Sequence, residues 1–311
     1  MKLLLLGRSG SINHWLEDAV TAFRGDGHDV RVAPVRRPWL ATGLERAFIE
    51  PLAANLAAKA VRFAPDLIVA IGGLHVPRPF LERLAALPGR PPLAGWVGDA
   101  FDASARDTAG LYDLLAYTDT GLAARHAALG FASRAMFLPH AASPGDPPSA
   151  RSRAERLIFV GAATPGRHRV TSALRGPLTL YGPGWRPGVG PDVQVHPGRI
   201  PHGRVAGLYA AHLAVLNIKS EQNVLSGLNQ RSFDPCLSGT PVLSDAQGDL
   251  ERCFAPGEEV LVWRDPAELD AHLTRLLRDP AEAARVGGAG RRRVMAEHRF
   301  THRLATLRAA L

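Results

Sequence analysis

LNIKSEQNVLSGLNQRSFDPCLSGTPVLSD, Leu216 to Asp245, places Asn229, Arg231 and Asp234 between two apolar runs of strand length. The runs are His212 to Ile218 (HLAVLNI) and Thr240 to Leu243 (TPVL), and a polar segment joining two such strands predicts a βαβ crossover in a parallel sheet. Ser226 or Asn229 is placed to cap a helix that stops at Gly239, a residue free to take the left-handed conformation that closes a helix. On that helix Arg231, Asp234 and Ser238 share one face, while Phe233 and Leu237 turn toward the sheet. The polar face then lies at the carboxyl ends of the strands, where open α/β sheets bind ligands.

Upstream, the same alternation opens the chain. Lys2 to Leu6 reads as a strand, His14 to Phe23 as an amphipathic helix ended near Gly25 and Gly27, and Asp29 to Ala33 as a second strand. A long helix from Thr42 to Arg62 leads to the apolar strand Leu67 to Ile71, which Gly72 and Gly73 break. Pro79 to Ala86 is helical, Leu93 to Val97 and Leu114 to Tyr117 are strands, Gly121 to Leu129 is a helix, and Arg134 to Leu138 closes this half. Ala141 to Ala154 (AASPGDPPSARSRA) carries no hydrophobic period and reads as a linker. A second Rossmann-like unit follows from Leu157, and one last helix is expected from Gly290 to Leu311.

With 311 residues the chain has room for two cores, and 46% hydrophobic with 21% charged residues is a globular composition. No apolar run reaches the roughly 18 to 20 residues that span a bilayer, and MKLLLLG reads as a first buried strand rather than a secretory signal. Cys236 and Cys253 make neither a disulfide framework nor a metal site alone, which points to a reducing, cytoplasmic setting. A net charge of +8 and a pI near 10.3 suggest a polyanion or an anionic membrane face. Lysine occurs only at Lys2, Lys59 and Lys219, and the tightest basic run is Arg291 to Arg293. Without an RNA-binding aromatic motif or a base-reading basic helix, nucleic acid is not the expected partner.

Several motifs in order resemble one family. LIFVG (Leu157 to Gly161), LYGPGW (Leu180 to Trp185), YAAHLAVLNI (Tyr209 to Ile218), GLNQRSFD (Gly227 to Asp234), SGTPVLSD (Ser238 to Asp245), FAPGEEVLVW (Phe254 to Trp263) and AGRRRVMAEHRFTHR (Ala289 to Arg303) are similar to the CgeB-like glycosyltransferases of bacteria. WVGD (Trp96 to Asp99) and LPHAASP (Leu138 to Pro144) resemble that family's N-terminal half. The resemblance implies an α/β GT-B fold, two Rossmann-like domains facing across a cleft, with a C-terminal half related to the family-4 glycosyltransferases. It implies an N-terminal acceptor domain over 1–145, a nucleotide-sugar donor domain over 155–290, and a terminal helix over 291–311 that returns to the first domain. The substrate would be a nucleoside-diphosphate sugar, with no cofactor and no metal. The family carries Glu where this chain has Asp234, and Pro235 follows; a carboxylate shorter by one methylene is expected to shift or weaken donor binding.

A donor site needs a ribose acceptor, positive potential for the diphosphate and a surface for the base. By the resemblance Asp234 takes the ribose; the alternative is an ion pair with Arg231 on the helix surface. Amides near Gly227 at a helix start, with Asn229, Arg231 and Lys219, supply the potential, and Arg167 and Arg169, beyond Gly161 in GAATPGRHR, are placed to clamp the phosphates. They read equally as solvated charges in a glycine-containing loop. Tyr181, Gly182 and Trp185 flank the base or belong to the core. On the acceptor side, Gly7, Ser9 and Gly10 follow the first strand, and GRSG lacks the spacing of a dinucleotide fingerprint. Asp99 and His75, each just past a strand end, are the candidate general bases, with helix capping and a loop position as their plainer roles. Asp99 and Asp102 have the wrong spacing for an Asp-x-Asp metal site. The acceptor is a glycan, small molecule or protein, and peripheral contact with an anionic membrane fits the charge. The competing functions are a nucleotide-sugar epimerase of the same fold, which needs no acceptor, and a catalytically idle surface or coat protein.

Overall fold

The computed structural model describes residues 1–8, 14–35, 42–146, 152–220 and 224–311, with 42–47 described by their backbone alone. The chain divides into two compact units. The first comprises Met1–Pro139, Asn223–Ser226 and Phe300–Leu311, and the second His140–Gln222 and Gly227–Arg299.

In the first unit β1 (Lys2–Gly7), β2 (Asp29–Pro34), β3 (Leu67–Ile71), β4 (Leu93–Val97), β5 (Leu114–Tyr117) and β6 (Arg134–Phe137) form a parallel sheet in the order β2-β1-β3-β4-β5-β6. Between these strands run α1 (Trp15–Gly25), α2 (Thr42–Phe63), α3 (Arg78–Ala85), α4 (Arg106–Ala109) and α5 (Thr120–Ala128). LIVAI of β3, LAGWV of β4 and LLAY of β5 are buried throughout, as strands covered on both faces must be. The strand boundaries agree with the sequence reading to within a residue or two. The order reverses between β1 and β3, which makes the ends of those strands, Gly7 and Ile71, the switch point of this sheet.

The second unit contains β7 (Ala154–Val160), β8 (Leu178–Gly182), β9 (Val193–Pro197), β10 (His212–Asn217), β11 (Val242–Asp245) and β12 (Leu261–Trp263), again parallel, in the order β12-β11-β10-β7-β8-β9. Its helices are α6 (Pro165–Ala173), α7 (His202–Ala210), α8 (Asp234–Leu237), α9 (Pro266–Arg278) and α10 (Pro280–Glu297). Here the switch point falls between β7 and β10.

Two expected helices are corrected. The crossover between β10 and β11 is a 3-10 turn, Gln230–Ser232, followed by the single turn of α8. Pro235 has no N–H to bond the carbonyl of Arg231, so a helix begun near Asn229 cannot continue through it, and Pro235 sits instead in the first turn of α8. Ser226 therefore caps nothing; its amide, with that of Leu225, is held by Asp119 Oδ2 at 2.9 and 2.7 Å inside the first unit. Gly239 does take a positive φ of 62° beyond α8. The single terminal helix is two, α10 and α11 (Phe300–Ala310), because buried His298 leaves helical geometry and its Nε2 bonds the Cys253 carbonyl at 2.8 Å. α11 belongs to the first unit. Its Phe300 meets Trp96 edge-on at 5.8 Å, Trp96 meets Trp15 at 4.8 Å, and Trp96 Nε1 donates to Leu138 O at 3.0 Å. Such pairs each add about 0.5–1.5 kcal/mol beyond their burial.

Candidate active site

At the switch point of the second unit, polar side chains converge on the carboxyl ends of β7, β10 and β11. Asn217, the last residue of β10, is fully buried and organises the group. Its Nδ2 donates to Ser232 Oγ at 2.9 Å and to Ser244 Oγ at 3.3 Å. Its Oδ1 accepts from Asn229 Nδ2 at 3.1 Å and from an Arg231 amino nitrogen at 3.3 Å. Arg231 Nε donates to Val160 O at 2.8 Å, and the guanidinium lies over the Phe159 ring at 4.7 Å. Gly161 follows β7 because nothing larger fits: a Cβ there would stand 2.9 Å from an Arg231 nitrogen and 3.1 Å from Phe159.

Arg167, on α6, reaches the same place from the β7 side. It donates to Ala162 O at 3.0 Å and to Ile218 O at 3.4 Å, and its guanidinium lies 5.3 Å from the same Phe159 ring. Burial, and then the charge of Arg231, push its pKa down to about 10, so it is still a cation at neutral pH but a strained one. On the β11 side, Asp245 accepts from the Lys219 amide at 3.0 Å and from Gln247 Nε2 at 2.7 Å, while burial raises its pKa above the usual carboxylate value.

Three buried polar atoms here have no hydrogen-bond partner: Arg167 Nε, Asn229 Oδ1 and Gln247 Oε1. An unsatisfied buried polar group costs about 1–3 kcal/mol, so three at one strand-end cluster describe a site shaped for something else. Two cations sharing a ring and raising each other's cost describe an anion as part of it.

The structure thus brings Gly161, Arg167, Lys219, Asn229 and Arg231 together. Asp234 stands at the start of α8, with Oδ1 accepting the Ser143 amide at 2.8 Å. Tyr181, at the end of β8, stacks on His196 at 4.4 Å and 9°. The Gly227 amides do not begin a helix, since the first turn starts at Gln230; that expectation fails with the long helix. Trp185 belongs to the core, 2% exposed, with Nε1 bonded to Gly161 O at 2.7 Å. Sequence reading missed Asn217, Ser232, Ser244, Asp245 and Gln247 as site residues. The signal was a polar residue at the carboxyl end of an otherwise apolar run, in HLAVLN and again in TPVLSD.

Gly182 ties β8 to β7. Its φ of +140° is closed to side chains without strain, and a Cβ there would overlap the Gly161 carbonyl. Gly182→Ala is expected to cost at least about 2 kcal/mol of stability, read as a lowered denaturant midpoint. A midpoint equal to wild type would mean this approach is not needed.

The first unit has its own cavity at its switch point, of about 110 Å³, lined by Gly7, Arg8, Trp15, Ile71, His75 and Asp99 among others. His75 ends a 3-10 turn after β3, Asp99 follows β4, and His75 Nε2 lies 3.4 Å from Asp99 Oδ2. The two candidate bases are therefore one pair, joined in a single cavity by Gly7. Ser9 and Gly10 lie outside the described residues. Asp102 is separate: its carboxylate accepts from the amide and hydroxyl of Ser104 and caps a 3-10 turn. Among the described residues, no three His, Cys, Asp or Glu side chains are grouped to hold a metal ion, and no helix is long and apolar enough to cross a membrane.

Residues 159–309 match the family model described as glycosyl transferase-like. No curated protein matches the chain in sequence. Among solved structures, HepE of Anabaena, determined in complex with UDP-glucose, superposes with a TM-score of 0.70 at 14% identity, covering 100% of both chains. A glycosyltransferase from Rickettsia africae gives a TM-score of 0.69 at 7% identity over 99% of this chain and 97% of its own. AviGT4, a glycosyltransferase involved in avilamycin A biosynthesis, gives 0.61 at 17% identity over 99% and 96%. With its two parallel Rossmann-like sheets the chain has the GT-B fold, and its C-terminal half is similar to the glycosyl transferase-like family.

Proposed function

We propose that the protein is a GT-B glycosyltransferase of the CgeB-like branch, moving a sugar from a nucleoside-diphosphate sugar held by the second unit to an acceptor hydroxyl bound by the first. The observation that carries the reading is the pair of guanidiniums, Arg167 and Arg231, on the Phe159 ring at the β7/β10 switch point, with the Arg167 Nε donor left without a partner. A diphosphate supplies a partner for the unpaired Arg167 donor and negative charge for two cations that share one nearby carboxylate, Asp245. As the sugar departs, negative charge grows on the leaving phosphate, and guanidiniums already fixed by their own hydrogen bonds stabilise it without reorganising. Asp234 takes the ribose hydroxyls and Tyr181 flanks the base. His75 with Asp99 removes the acceptor proton where the reaction inverts. The GT-B relatives support the fold side of this reading, and one of them was solved with UDP-glucose. A reducing compartment is consistent with two buried free thiols, Cys236 and Cys253, and the basic charge with an anionic membrane surface near the acceptor.

The test is calorimetry and thermal shift against UDP, GDP, dTDP, ADP and CMP and their sugars. One diphosphate class is expected to bind and to raise the melting temperature, by about 2.7 kcal/mol of stability at 100 times Kd. Asp234→Ala is expected to weaken that nucleotide about tenfold, as loss of a hydrogen bond to a charged group does, with Asp234→Asn between. Silence across the panel would sink the reading. Donor turnover without any acceptor would replace it by an epimerase, and binding without turnover by an idle scaffold.

A further inference from the structure

We infer that the outer face of α2 docks on an anionic lipid bilayer, with Phe48, Leu52 and Val61 entering the acyl boundary and Lys59 and Arg62 meeting headgroup phosphates. This gives a place to the membrane contact proposed above and rests on that reading, whereas the donor chemistry is independent of it.

α2 is apolar on two sides, and the fold covers one of them. Ile49, Ala53, Leu56, Ala60 and Phe63 form the inner side and are buried in the core of the first unit. Phe48, Leu52 and Val61 point elsewhere and are 59%, 56% and 62% exposed, more than any other large hydrophobic side chain among the described residues. From Phe48 to Ala58 the exposed positions are Phe48, Pro51, Leu52, Ala54, Asn55 and Ala58, and none of these is charged. Glu50, at the margin of this face, is engaged by Arg83 at 3.2 Å. A surface helix ordinarily turns a polar face to water, so three large apolar side chains within roughly four turns call for a second covering.

Charge decides what that covering is. The apolar face passes into cations at the C-terminal end of α2, where Lys59 and Arg62 are exposed and neither makes an ion pair with a described residue. Lys2 and Arg31 gather at the same end, over the ring of Phe63 at 5.8 and 4.3 Å, and Lys2 Nζ donates to Phe63 O at 3.2 Å. Lysine is rare in this chain, yet Lys2 and Lys59 both stand here. Asp29 and Asp66, beside Lys2, offset part of this charge, and the cations on the helix itself remain. A second copy of a chain with a net charge of +8 would set like charge against like. An anionic bilayer suits both parts of the surface: the apolar side chains reach the acyl boundary, while Lys59 and Arg62 extend on long stems to the phosphates.

The experiment is co-sedimentation of the full chain with vesicles of phosphatidylcholine alone and of phosphatidylcholine mixed with phosphatidylglycerol, at low and high salt. Wild type is expected to sediment with the mixed vesicles, and less so at high salt. Phe48→Ser combined with Leu52→Ser is expected to lower the partition coefficient about 10-fold or more, since two large apolar groups no longer leave water. Lys59→Gln combined with Arg62→Gln is expected to lower it about 10- to 30-fold at low salt, at roughly fivefold for each cation near the surface. All four side chains lie on the surface, so both variants are expected to keep the wild-type melting temperature and the nucleotide affinities of the panel above. Wild-type binding that neither variant lowers would overturn the assignment to α2 and leave the membrane contact to another surface. Failure of wild type to bind the mixed vesicles would overturn the membrane reading along with it. A wild type that stays off vesicles and is dimeric by light scattering, with a monomeric Phe48→Ser, Leu52→Ser variant, would give this face to a second copy instead.

Discussion

Arg231→Ala is expected to weaken nucleoside-diphosphate binding by about 10- to 100-fold, the loss of one or two hydrogen bonds to a charged group in a dry site. Arg231 is aimed rather than free. Nε is spent on Val160 O, one amino nitrogen on Asn217 Oδ1, and the plane of the group rests on Phe159. The remaining nitrogen is held against Gly161, where a glycine leaves room for it, and the Tyr209 hydroxyl bonds the same guanidinium. Fixing a guanidinium this way prepays its side-chain entropy before the anion arrives. Arg231→Lys keeps the charge and loses the fork, so it is expected to fall between wild type and alanine. The alanine variant also loses internal hydrogen bonds to Val160, Asn217 and Tyr209 and a ring contact, so its melting temperature without ligand will drop. The reading that decides is therefore the calorimetric Kd and the ligand-induced shift. An unchanged Kd in Arg231→Ala would leave Arg231 a purely structural residue and move the diphosphate elsewhere. Removing a neighbouring cation is also expected to raise the Arg167 pKa from about 10, since Arg231 is one of the two causes that depress it.

How the sequence encodes this site is uneven. Strands buried on both faces announce themselves as continuous apolar runs, and LIVAI, LAGWV and HLAVLN were legible to within a residue for that reason. β9, VQVHP at the edge of the second sheet, offers only a four-residue alternation, Val193 and Val195 with Gln194 and His196, before Pro197, a weaker signal than a continuous apolar run. The helix expected between Asn229 and Gly239 satisfied spacing and capping rules over its whole length. One proline overruled them, because a missing N–H is a local veto that periodicity does not weigh. Of the polar residues quoted from that stretch, Asn229 and Arg231 meet in one cluster for a reason other than a shared helix face, while Asp234 accepts the Ser143 amide. Arg231 and Asn229 meet through Asn217, which is 12 residues from Asn229 in the chain and on a different element. Such convergence is a property of parallel topology: the ends of β7, β10 and β11 come together only once the strand order is known, and Gln247 had no signature before that. His75 and Asp99, by contrast, were each found from a position just past a strand end, and the sheet order then made them a pair.

His75→Ala is expected to lower the transfer rate by about 10²- to 10⁴-fold, the usual worth of a positioned general base, with donor affinity unchanged. The two parts of that expectation come from different units. The proposed donor groups lie in the second, and the His75–Asp99 pair lies 3.4 Å apart in the first, at the β1/β3 switch point. In this reading Asp99, with Oδ2 3.4 Å from His75 Nε2, orients the imidazole. Asp99→Asn is therefore expected to slow transfer less than His75→Ala, and the double variant no more than His75→Ala, because groups acting as one unit are not additive. Both side chains are half exposed, at 51% and 38%, so neither substitution opens a core and both variants are expected to keep the wild-type melting temperature. The cavity they share, about 110 Å³, is lined by the side chains of Trp15, Leu16, Val35 and Ile71 beside the pair. Stereochemistry supplies the independent check: a base is needed where the anomeric centre inverts and not where it is retained. NMR of the first-formed product should therefore show inversion if His75→Ala is slow. A retained anomer with a full-rate His75→Ala would remove the base from this pair and leave the cavity as an acceptor-binding feature alone.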